Sequence, residues 1–181
     1  MNNPMMSGGN KMTRRGTTKL AYLGLMAAML IVLGILESWL PPPPVAVPLR
    51  YGLANLVVMF ALCFLPKSYS IYLAATKVLI ALIWRGPVAA ALSLGGTVFA
   101  WVGVSLLLLL PPRRVSYFFL CISSAFLHNL GQLAVLSLLP LGVTVGIIYP
   151  YLIVVSLLTG ALNAALFRVL LPFWRRAASS K

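Results

Sequence analysis

Apolar residues run along this chain in long blocks, and the polar positions between them carry turn chemistry. A helix needs about 20 apolar residues to cross a ~30 Å hydrocarbon core. Six runs approach or meet that length, at 20–40, 51–65, 70–84, 88–110, 115–139 and 147–171. The separators read PPPPVAVP, PKS, RGP, PPRR and PLG, all rich in residues that interrupt helices. The pattern therefore predicts an all-α integral membrane protein, a bundle of six transmembrane helices over 17–174. Basic tails are expected at 1–16, disordered, and at 175–181. The second and third runs are short, so 51–85 forms either two tilted spans or one re-entrant hairpin.

Composition agrees with a bilayer. Hydrophobic residues make up 61% of the chain and charged ones 8%, outside the usual range of soluble domains. The basic opening before Leu20 resembles a secretory signal, but the run that follows is long enough to span and no small-residue cleavage site follows it. A formal net charge of +13 would suit nucleic acid only if the basic residues shared a soluble face with interleaved aromatics. They lie between apolar runs instead, so nucleic acid is not an expected partner. With six spans and both termini inside, Lys11, Arg14, Arg15, Lys19, Lys67, Arg113, Arg114, Arg175, Arg176 and Lys181 face the cytoplasm. Only Arg50 and Arg85 face out. Lys and Arg accumulate in cytoplasmic loops, so this asymmetry predicts a multi-pass plasma-membrane protein in that orientation.

Ionisable groups within spans are costly and mark function by default, with pairing between helices as the alternative. Lys77 and His128 fall mid-span, and Glu37, the only acidic residue in the chain, falls near the outer end of the first run. Asn55, Asn129 and Gln132 are placed in the outer half, and Arg50 and Arg85 at the outer boundary. Two readings of Glu37 stay open: an ion pair with Lys77, Arg50 or Arg85 that locks helix ends, or a group that orients one of those cations toward a bound anion. His128 and Gln132, one helical turn apart, share a face with Ser124 and Gly131, whereas Asn129 is offset by about 100°. That face is either an interhelical clamp or a pocket wall. Three stripes of small residues suit close helix packing: Ala21, Gly24 and Ala28; Gly96, Ala100 and Gly103; Ser156, Gly160 and Ala164. The first lies where a partner protein could dock.

Several chemistries are not expected. One acid and one imidazole leave no carboxylate pair and no acidic magnesium site, so prenyl transfer by this chain alone is excluded. A single His without nearby Cys or Asp completes no metal shell. Cys63 and Cys121 lie in apolar runs, where thiols behave as small hydrophobes. There is no GxxxxGK[ST] loop to hold ATP phosphates. The chain is thus read as a non-enzyme with no cofactor, and any energised transport would borrow its motor.

The pieces LES at 36–38, GLAN at 52–55, TKVLIALIWRG at 76–86, SLGG at 93–96 and HNLGQ at 128–132 resemble the Gx transporter family, commonly labelled heptaprenyl diphosphate synthase component I. VPLRYGLAN stands where that family's pattern is closer to VPGxKLGLAN, with Arg50 near the usual lysine. The family looks related to the S components of energy-coupling-factor (ECF) transporters. That likeness implies a six-helix substrate-binding subunit, an outward pocket capped by the loop after the first helix, and a small-residue face docking on a coupling subunit served by ATPases. Glu37, Arg50, Asn55, Lys77, Arg85, His128, Asn129 and Gln132 would then line or brace a site for a small anionic or amphipathic compound. The alternative is a non-catalytic membrane partner of a polyprenyl diphosphate synthase or of a quinone-linked redox assembly. Reporter fusions at either terminus are expected to report the cytoplasm; an external signal at one end would require an odd number of crossings.

Overall fold

The structure is a computed structural model describing residues 7–39, 51–111, 115–139 and 145–179, with side chains at 7–19, 145, 147 and 173–179 outside the description. Five helices occupy these segments: α1 (Ser7–Trp39), α2 (Asn55–Phe64), α3 (Lys67–Leu107), α4 (Tyr117–Leu138) and α5 (Val145–Ser179). Four of them, all but α2, contain stretches long and apolar enough to cross a membrane.

Five helical elements stand where six were expected, because the third and fourth runs are joined in α3 across Gly86. Helical geometry stops at the RGP break, where Gly86 lies at φ 85°, ψ −179°, and resumes from Pro87. Only glycine reaches that backbone region without strain. In a straight helix, Ser70 and Trp101 would stand about 46 Å apart at ~1.5 Å per residue. Instead the Trp101 indole N–H donates to Ser70 Oγ at 2.9 Å, and Lys77 Nζ donates to Thr97 Oγ1 at 3.1 Å. Helix α3 is therefore an antiparallel hairpin of two arms. Ile83, Trp84 and Arg85 are exposed at its tip, where an indole suits the membrane interface.

The other boundaries have local causes. Ser116 caps α4, its Oγ accepting from the Phe119 N–H at 3.1 Å and filling one of the orphan donors of the first turn. Helix α2 is shorter than the expected run at 51–65, because Gly52 to Ala54 form a turn in which the Asn55 N–H donates to the Gly52 carbonyl at 2.9 Å. Helix α1 extends back through 7–16, where a disordered tail was expected, because adding residues to an existing helix avoids the cost of nucleation. Likewise α5 continues through most of the expected C-terminal tail, to Ser179.

Helix α4 lies centrally, and 56% of its membrane window is buried, against 22% for α1. Its approach to α3 depends on glycine. A Cβ on Gly131 would meet the Gly95 backbone and come within 2.9 Å of the Gly96 Cα, so the two backbones touch. Gly160 does the same for α5, where a Cβ would come within 2.7 Å of the Ile122 Cα. Without a hydrophobic driving force between helices in lipid, close packing of this kind supplies the attraction. Below this crossing, Phe60, Phe64, Tyr117 and Phe167 pack as an aromatic cluster tying α2 to α4 and α5. Substituting Gly86→Ala is expected to lower stability by ~1–3 kcal/mol through backbone strain alone, since the added methyl meets open space. Unfolding in detergent measures it, and an unchanged midpoint would show that the bend tolerates an L-residue.

Candidate functional site

The polar residues within the apolar runs converge around Lys77. This residue sits ten positions after Lys67 and nine before Gly86, so it is near mid-height of its arm. Its Nζ donates to Asn55 Oδ1 at 3.4 Å and to Thr97 Oγ1 at 3.1 Å. The Asn55 amide turns its own Nδ2 to Ser124 Oγ at 2.9 Å. One lysine thereby joins the start of α2, both arms of α3 and, through Asn55, the middle of α4. All four side chains are buried, as they must be when no water is available to compete for them.

GLAN and Glu37 form a second tie. The Gly52 N–H donates to Glu37 Oε1 at 2.8 Å, so the single carboxylate holds the entry to α2 against the end of α1. Gly52 has φ 89°, and a Cβ there would lie 2.8 Å from His128 Cδ2. On the other side of the imidazole, a Cβ on Gly96 would lie 2.5 Å from both Cε1 and Nδ1. The His128 ring is thus held between two glycines, one from GLAN and one from SLGG. The three motif fragments meet at one point, and each glycine is there because a ring occupies the space of its missing side chain. Next to this point, the Tyr51 phenol is hydrogen-bonded to that of Tyr151 on α5.

A third group lies on the α5 side of α4. Asn129 Nδ2 donates to Ser156 Oγ at 2.8 Å, and Gln132 Nε2 donates to Asn129 Oδ1 at 3.1 Å. The ~100° offset between His128 and Asn129 has a structural consequence: α4 serves the Lys77 cluster with one face and α5 with another.

Of the expected site residues, Glu37, Asn55, Lys77, His128, Asn129 and Gln132 are buried in this layer. Arg85 is exposed at the tip of the α3 hairpin, eight residues from Lys77. Arg50 and the proline-rich segment lie outside the described residues. Asn55, at the start of α2, reaches Lys77 in the middle of its arm. Thr97 is a site residue not anticipated from the sequence. The signal for it was present, since Thr97 follows Ser93 by one turn and Gly96 by one residue on a buried face.

Four apolar helices of membrane length among the described residues, with polar side chains buried between them, mark a helical membrane protein. The profile of one family, described as heptaprenyl diphosphate synthase component I, matches residues 26–170. The chain belongs to that family, which is named as a component of a synthase. No curated protein and no solved structure matches it.

Replacing Thr97 by Val removes an acceptor from a buried donor, and a loss of ~1–3 kcal/mol is expected, with Thr97→Ser close to the parent. Gly52→Ala is expected to cost at least as much, from strain at positive φ and contact with His128. Both are measured by thermal unfolding in detergent. Equal stability of Thr97→Val and Thr97→Ser would show that the Lys77 contact contributes nothing.

Proposed function

We propose that this chain is the substrate-binding subunit of an ECF-type importer, non-catalytic itself, for a small anionic or amphipathic compound. The observation that carries this reading is the convergence on Lys77 of side chains from α2, both arms of α3 and α4, in a layer that includes the only acid and the only imidazole. A purely structural bundle has little use for a lysine at that depth, because apolar packing would hold the helices at lower cost. Glu37, Asn55, Lys77, His128, Asn129 and Gln132 line or brace the site, with Arg50 and Arg85 at its outer approach. In this reading α3 crosses the plasma membrane twice, α2 with its lead-in completes six passes, and both termini are cytoplasmic. Ala21, Gly24 and Ala28, all exposed on α1, form the face for a coupling subunit.

The family's description favours a second reading, a non-catalytic membrane partner of a heptaprenyl diphosphate synthase. Native mass spectrometry of the protein purified in mild detergent separates the two. A co-purified small molecule, lost on Lys77→Met from a protein that still unfolds cooperatively, supports the importer subunit; a tenfold weakening would correspond to ~1.4 kcal/mol. A chain that carries no small molecule but retains a prenyl diphosphate synthase subunit supports the second reading instead.

A further inference from the structure

One end of the bundle collects most of the chain's positive charge. Aromatic contacts fix which residues share that end: Phe64, at the close of α2, and Tyr117, at the start of α4, both pack on Phe167 of α5, with ring centroids 6.1 and 5.0 Å away. Lys67 follows Phe64 by three residues and opens α3, and Arg168 directly follows Phe167; both are exposed. Helix α1 begins at this end too, because its last turn carries Glu37, which bonds Gly52 ahead of α2. The apolar stretch of α1 starts at Leu20 and that of α5 stops at Pro172, so both helices continue past their membrane-length segments here. The extensions add Lys11, Arg14, Arg15 and Lys19 on α1, and Arg175 and Arg176 on α5.

No acidic side chain offsets these cations, since Glu37 is the only one in the sequence and lies at the far end of α1. Like charges gathered at one end repel one another, a cost that an external anion relieves. Lys67 carries the same message. In the first turn of α3 it opposes the helix macrodipole, which favours anions there, so its charge does not serve its own helix. Depth decides the class of anion. Phe64 and Tyr117 are 36% and 38% exposed on the surface of the bundle, and Phe118 and Phe119 next to them are more exposed still. Such rings on membrane-length helices suit the boundary between acyl chains and headgroups, and cations within a turn of them stand at headgroup level. An anion joined to acyl chains meets both features, whereas a soluble anion meets the charge alone.

We propose that this end of the bundle binds an anionic phospholipid, its phosphate held by Lys67 and Arg168 and its acyl chains lying on Phe64 and Tyr117. The site is separate from the Lys77 layer and stands whether or not the importer reading holds.

The test is native mass spectrometry of the full-length protein in mild detergent, supplied with equal amounts of phosphatidylglycerol and phosphatidylcholine. Retained phosphatidylglycerol is expected to exceed phosphatidylcholine about tenfold. Combining Lys67→Gln with Arg168→Gln is expected to lower phosphatidylglycerol retention about tenfold, leaving phosphatidylcholine retention and the thermal unfolding midpoint unchanged. Lys67→Arg with Arg168→Lys, which keeps both charges, is expected to restore retention. Equal retention of the two lipids would overturn the site, and a preference that survives the paired Gln substitutions would overturn its location. At matched ionic strength, millimolar inorganic phosphate and a polyglutamate peptide are both expected to leave the lipid bound. Displacement by phosphate would reassign the site to a free anion, and displacement by the peptide would reassign it to an acidic protein.

Discussion

Lys77 Nζ needs acceptors in a place without water, and much of the bundle's geometry serves that need. The two acceptors come from opposite directions in the chain, Asn55 from the start of α2 and Thr97 from the returning arm of α3. Bringing Thr97 to Lys77 requires α3 to reverse between them, which Gly86 permits through a backbone conformation closed to other residues. Bringing Asn55 to Lys77 requires the turn before α2 to enter the bundle, and Glu37 holds it there through the Gly52 N–H. The position of one amino group is thus linked to a hinge, a turn and the chain's only carboxylate.

Space is regulated by glycine at the same level. The His128 ring fits because Gly52 and Gly96 offer no Cβ, and α4 meets α3 backbone to backbone because Gly95, Gly96 and Gly131 do likewise. Close approach of backbones is what makes a polar layer of short side chains workable. Ser, Thr and Asn reach only a few ångströms, so the helices carrying them must be close for their hydrogen bonds to form. In hydrocarbon each such bond has little competition from water, although the net gain per bond stays near ~1 kcal/mol because the separated helices also find partners. The layer therefore specifies one arrangement of helices more than it adds to overall stability.

The two faces of α4 divide the chemistry. One face, through Ser124 and His128, meets the Lys77 cluster and the GLAN turn; the other, through Asn129, meets Ser156 on α5. Gln132 is bonded to Asn129 and stands one turn beyond His128, so it adjoins both.

Much of this was determined by the sequence alone. Apolar run length decides that helices of membrane size form, because backbone groups in hydrocarbon must be bonded within the segment. RGP marked the reversal in α3, and the mid-run positions of Lys77, His128, Asn129 and Gln132 marked the polar layer, since charge and amides at such depth need a reason. The tertiary structure alone decided the partners: that Glu37 bonds a backbone N–H fifteen residues away, that Thr97 receives Lys77, and that Asn55 receives it from α2. It also decided that the two arms of α3 fold back on each other and that Arg85 is exposed at their tip. Hydrophobic periodicity specifies which residues avoid lipid, but helix rotation and depth are set by where backbones can touch. That depends on which glycine faces which ring, a relation between distant positions that no local pattern carries.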